Sequence, residues 1–158
     1  MGIEVLERYV YYRAMEKFVF SKKEEEALNS LDVEALILFG SHAQGLAGPL
    51  SDVDIGVLMG DPRVLSDRSR RNELYDALYD ILSPLVGRVV RRLCNIDIVF
   101  LQDEKVNLQL KYHVSRHGVP LYQRGTRAFV KFKEAIMDLY ADFAPLRRMF
   151  NEAILARI

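Results

Sequence analysis

"FGSHAQGLAGPLSDVDIGVLM", residues Phe39 to Met59, is the stretch that decides the fold. An apolar strand ends at Phe39, the chain breaks at Gly40-Ser41, and a second strand follows that carries Asp52 and Asp54. Strand side chains alternate between faces, so the two aspartates share one face while Val53, Ile55 and Val57 point into the core. Gly56 follows on the aspartates' own face and leaves it uncrowded. Two neighbouring carboxylates repel each other, and each loses hydration near a sheet. A bound divalent cation would offset both effects, and Mg²⁺ suits an all-oxygen site. A bare D-x-D pair also occurs as two solvated residues at a strand mouth.

A third acid strengthens the metal reading. "CNIDIVFL", Cys94 to Leu101, places Asp97 between Ile96 and Ile98 in another core-like run. By itself Asp97 fits an edge-strand surface residue equally well. If the two strands are neighbours, three carboxylates converge on one face. Such a set can hold two Mg²⁺ ions ~4 Å apart, clamping the attacking and leaving oxygens of a phosphoryl-type transfer. Gly40-Ser41, straight after a strand, opens a short helix whose first N–H groups lack partners and attract anions. Gly40 admits close approach to the backbone, and Ser41 can either cap the helix or donate to a phosphate oxygen.

Around this centre the pattern is helix, strand, strand, helix, strand, helix, helix. Val5, Leu6, Tyr9, Val10 and Ala14 recur at helical spacing, and Phe18, Phe20 and Leu28 lead to a strand near Ala35–Phe39. Gly60-Asp61-Pro62 ends the second strand with turn chemistry. Ser66 to about Gly87 reads as a helix, Asn95–Leu101 as a strand, Asn107–His117 as a helix and Val119–Tyr122 as a short extended piece. The last helix starts at Thr126, with Phe129, Phe132, Ile136, Leu139, Phe143, Leu146 and Phe150 in one stripe and a break expected just before Pro145. The fold class is α+β, a small sheet flanked by helices, with helices at both ends. One domain spans residues 1–158, with its motif region at 35–101 and a C-terminal helical part at 104–158.

The 158 residues suit a single core. No apolar run approaches the ~20 residues of a membrane span, and the amphipathic start is no signal peptide. A lone cysteine, Cys94, fits a reducing cytoplasm. Lysine plus arginine equals aspartate plus glutamate, at 22 each, a balance that disfavours nucleic acid as the main partner. His42, His113 and His117 form no ligand set. Arg68, Arg70 and Arg71 read as exposed on their helix. Arg88, Arg91 and Arg92 read as a solvated turn, with an acidic partner or a triphosphate as the minority alternative.

Gly40-Ser41, ten residues, then Asp52-Val53-Asp54 resembles the G-S-x10-D-x-D signature of the polymerase-β-like nucleotidyltransferases. Asp97 is similar to that superfamily's third carboxylate. The wider stretch resembles the minimal nucleotidyltransferase branch, including the MntA-type antitoxins paired with HEPN-domain toxins. The family commonly has a basic residue where Gln44 stands. The resemblance implies that Gly40 and Ser41 hold the triphosphate tail of ATP, and that Asp52 and Asp54 bind both Mg²⁺ ions. It assigns Asp97 to the metal nearest the nucleophile. It implies a small mixed sheet, and transfer of AMP to a hydroxyl with release of pyrophosphate. Three acceptor readings compete: a tyrosine of a HEPN-type toxin, a small molecule such as an aminoglycoside, or no acceptor in a binding-only antitoxin. Only 61 residues follow Asp97, little room for an acceptor-binding domain, which favours a protein acceptor. Homo-oligomer formation stays open, and the expected location is the cytoplasm.

Overall fold

β1, Val33–Phe39, is apolar at every position but Glu34, and it lies inside a four-stranded sheet ordered β3-β2-β1-β4. The computed structural model describes Gly2, Arg13 and residues 17–156. The periodic set Val5 to Ala14 lies outside the described residues. From residue 22 the order is α1 (Lys22–Ser30), β1, α2 (Gly40–Ala43), β2 (Val53–Met59), a 3₁₀ turn (Pro62–Ser66) and α3 (Arg68–Val90). Then follow β3 (Ile96–Phe100), α4 (Leu108–His117), β4 (Val119–Gln123), α5 (Ala128–Asp142) and α6 (Ala144–Leu155). β1 pairs antiparallel with β2 and with β4, while β2 and β3 run parallel, so the sheet is mixed.

Three helices start where a side chain satisfies their free N–H groups. Ser21 and Glu24 form a reciprocal capping box on α1, Asp67 accepts from the Ser69 and Arg70 N–H groups on α3, and Asn107 accepts from the Leu110 N–H on α4. α5 and α6 part at Phe143, just before Pro145, as the proline demands. The expected extended piece at 119–122 is a true strand against β1. The stretch read as a helical C-terminal part therefore contributes an edge of the sheet.

Each sheet face has its own core. Leu36 and Leu38 of β1 pack with Val53, Ile55 and Val57 of β2 beneath Leu78, Leu82 and Leu85 of α3. Ala35, Ile37 and Phe39 pack with Leu58, Leu101, Val114 of α4 and Phe129 of α5. The alternation read from the sequence places Asp54 and Gly56 on this second face. The space over Gly56 is filled by Leu101 rather than left open: a Cβ there would stand 2.7 Å from Leu101 Cδ1. Gly56→Ala should therefore destabilise the fold by about 1–3 kcal/mol through overpacking. Urea unfolding checks this, and Leu101→Val in the same chain should recover part of the loss because the two sites share one space.

The aromatic stripe of the last helix divides. Phe129 and Ile136 are buried, whereas Leu146 and Phe150 are 47% and 67% exposed. No residue of α6 is buried. Among the described residues no helix is long and apolar enough to cross a membrane.

Candidate active site

The turn after β1 and the start of β2 meet because Phe39 pairs with Asp54 in the antiparallel ladder. The next residue, Gly40, has φ +69°, a left-handed conformation that an L side chain adopts at a cost. A Cβ on Gly40 would also fall on the Asp54 carboxylate. Two requirements thus fix glycine here: the turn needs its backbone freedom, and the carboxylate occupies its missing side chain's space. α2 begins at Gly40 as expected, but Ser41 is not its N-cap. That place falls to Phe39, which has no side chain to bond with, and Ser41 sits half-buried inside the turn. Among the described residues its hydroxyl has no hydrogen-bond partner.

The three acids come from two strands and one loop end. Asp54 and Asp97 stand in register on parallel neighbours β2 and β3, so their side chains leave the same face side by side. Asp52 lies just before β2, not in it, and is exposed, as is Asp97; Asp54 is half-buried. Burial pushes the Asp54 carboxyl above its ordinary value, the Asp97 and Asp52 charges push it further, and His42 pulls it partly back. Among the described residues no hydrogen bond or ion pair reaches any of the three carboxylates. Among the described residues the cluster is a concentration of negative charge with no cation paired to it.

Among the described residues no three histidine, cysteine, aspartate or glutamate side chains are gathered closely enough to cage a metal ion by themselves. Mg²⁺ needs no such cage, since it keeps several waters and can be bound by one or two carboxylates together with substrate phosphates. Oxygen-only donors, mutual repulsion and an open front fit the ion. Two cavities, of about 460 Å³ beside Tyr122 and Arg124 and about 240 Å³ beside Tyr75 and Asp103, touch none of Gly40, Ser41, Asp52, Asp54 or Asp97. The acid face outranks them as the place for chemistry, because charge and register converge there and the cavities bring no comparable set together.

Several side chains around the acids differ from the sequence reading. Gln44 Nε2 lies 3.1 Å from His113 Nε2, tying α2 to α4. Burial, and then His117, lowers the His113 pKa, so Gln44 meets a ring that favours its neutral form. In the basic cluster before β3, Arg88 and Arg91 are exposed as read, but Arg88 lies in the last turn of α3 and the cluster has distant partners. Arg88 pairs with Glu24 at 2.8 Å, and Arg92 reaches back to the loop ahead of β2, donating to the Ser51 carbonyl at 2.7 Å. Arg71 pairs with Asp103 at 2.8 Å with 20% of its side chain exposed, against its reading as a free surface residue. These partners lie 32 to 69 residues away along the chain, so no local pattern announces them.

Residues 22–127 match the family model described as polymerase beta, nucleotidyltransferase. Among curated proteins none matches the chain. Solved structures do. A toxin–antitoxin crystal structure with AMP-PNP superposes with a TM-score of 0.59 at 23% identity, covering 83% of this chain and 98% of the other. The toxin–antitoxin MntA-HepT gives 0.54 at 20% identity, covering 85% and 99%. The tri-AMPylated Shewanella oneidensis HEPN toxin in complex with MNT antitoxin gives 0.54 at 20%, covering 85% and 98%. At these identities the likeness is one of fold.

Proposed function

We propose that this chain, which belongs to the polymerase beta nucleotidyltransferase family, transfers AMP from ATP to a tyrosine hydroxyl of a HEPN-type toxin and so acts as its antitoxin. The observation that carries the reading is the in-register pair Asp54–Asp97 beside the Gly40 turn. It supports a nucleoside triphosphate site, in which the carboxylates and the N–H groups of the turn would act together. The choice of acceptor draws support from the folds this chain shares, those of toxin–antitoxin complexes, one with AMP-PNP and one with a tri-AMPylated toxin. The bare face of α6, with Met149, Phe150 and Ile154 exposed, is consistent with a protein partner.

In this reading Gly40 and Ser41 hold the triphosphate tail through backbone N–H groups and the free Ser41 hydroxyl. Asp52, Asp54 and Asp97 would hold two Mg²⁺ ions, which supply charge neutralisation at the attacking and leaving oxygens. Asp97, exposed at the sheet edge, would accept the phenol proton. The tyrosine oxygen forms a bond to the α-phosphorus, the α–β anhydride bond breaks, and pyrophosphate leaves with the bonding electrons.

Intact-mass spectrometry tests it. Incubated with MgATP and the HEPN-type protein, the chain should add one or more AMP units to that protein, and EDTA should prevent the gain. Toxin neutralisation with no mass change in either protein would select the binding-only antitoxin. A modified aminoglycoside with an unmodified protein would select the small-molecule reading.

A further inference from the structure

Arg92 and His42 converge on one atom next to the acids. The Ser51 carbonyl oxygen, part of the peptide unit that leads into Asp52, accepts from Arg92 Nη2 at 2.7 Å and lies 3.3 Å from His42 Nε2. A carbonyl oxygen only accepts, so His42 Nε2 carries the proton in that contact, and both lone pairs of the oxygen are used. The same Arg92 Nη2 donates to the Gly48 carbonyl at 3.3 Å. Gly48 and Ser51 also close a turn on themselves, the Gly48 N–H donating to Ser51 Oγ at 2.8 Å and the Ser51 N–H to the Gly48 carbonyl at 3.2 Å. On the other side of Asp52 the Val53 N–H donates to the Asn95 carbonyl at 3.0 Å.

Asp52 itself is exposed and makes no hydrogen bond among the described residues, and it precedes the first residue of β2. The ladder that fixes Asp54 does not fix Asp52. Its place depends on the peptide units at either side, and one of these is held by side chains from distant parts of the chain. Arg92 comes from the connection between α3 and β3, and His42 from α2. We infer that Arg92 and His42 are positioning residues that hold Asp52 at the metal-binding face by pinning the Ser51 carbonyl. Both would act on Asp52 through the backbone of the loop. The inference rests on the proposed metal-dependent transfer, and a clamp that served the turn alone would leave metal affinity unchanged when it is removed.

The test uses Mn²⁺ alone, without nucleotide, titrated into the full chain and followed by electron paramagnetic resonance, with amide hydrogen exchange read over residues 45–53. Arg92→Met should speed exchange in that segment and weaken Mn²⁺ binding about tenfold, the scale of losses seen when a group supporting a metal ligand is removed. In an Asp52→Asn background the same substitution should change Mn²⁺ affinity no further, because its target is already gone. His42→Ala should act in the same direction, and His42→Gln, which keeps a donor, should restore most of the affinity. His42→Ala and His42→Gln also stand in if Arg92→Met fails to fold. Unchanged Mn²⁺ affinity despite faster loop exchange would overturn the inference alone. So would an equal tenfold loss in the Asp52→Asn background. A parent chain that binds no Mn²⁺ would overturn both the proposed metal-dependent reaction and this inference.

Discussion

Asp54→Asn should cut AMP transfer by on the order of 10³-fold, about 4 kcal/mol of transition-state stabilisation, while leaving the fold as stable as before or more so. The two effects have one origin. Asp54 loses hydration in the sheet and stands against Asp97 and Asp52, and its carboxyl is held above the ordinary value of 3.8. A group with a raised folded pKa binds more protons folded than unfolded. The stability it lends is full below 3.8 and is lost as pH rises through the folded value. At neutral pH its charge opposes folding, and asparagine removes that opposition. Melting curves across pH should therefore show the variant matching the parent in acid and equalling or exceeding it at pH ~7. Mg²⁺ should raise the parent's melting temperature more than the variant's, since a ligand stabilises the state that binds it. A variant that loses activity and melts earlier at neutral pH would make Asp54 a structural residue.

Gly40→Ala should be nearly as damaging to transfer, with a loss on the order of 10²-fold, and unlike Asp54→Asn it should also weaken the fold. The left-handed backbone alone costs an alanine about 1–2 kcal/mol. The added methyl must in addition displace the Asp54 carboxylate. These contributions can be separated. Combining Gly40→Ala with Asp54→Ala frees the contested space, so the melting temperature should partly recover while transfer stays lost. A double variant no more stable than Gly40→Ala would assign the whole penalty to the backbone. This expectation differs from that of a turn built only to admit phosphate, for which folding would be spared.

The order of elements was legible because their periodicities differ. The near-continuous apolar runs of β1 and β2, the alternation around Asp54 and the 3-4 stepping of the helices each point to one structure. Asp54 and Asp97 stood out because each interrupts a run that is otherwise core, and they proved to be neighbours in register. What stayed hidden depends on distance along the chain. Nothing local marks Arg92 as a partner of Ser51, Arg71 as a partner of Asp103, or Leu101 as the residue that fills the space over Gly56. Of the two roles open to Ser41 in the sequence, capping falls away because the helix already starts at Gly40, with Phe39 at the cap position. The piece read as short and extended at 119–122 carries no local mark of its partner, and its pairing with β1 makes it a strand.

The parallel pairing of β2 with β3 has a consequence for when the site comes into being during synthesis. Parallel neighbours cannot be joined by a tight turn, and here the crossover is the long helix Arg68–Val90. A growing chain that has emerged only as far as that helix already contains the glycine turn, Asp52 and Asp54, but neither Arg92 nor Asp97. Contacts between residues this far apart in sequence form late, after the loop-closure entropy has been met. The three carboxylates are thus brought together only when β3 docks on β2, and the activity proposed for them would appear with that step rather than grow in as the chain lengthens.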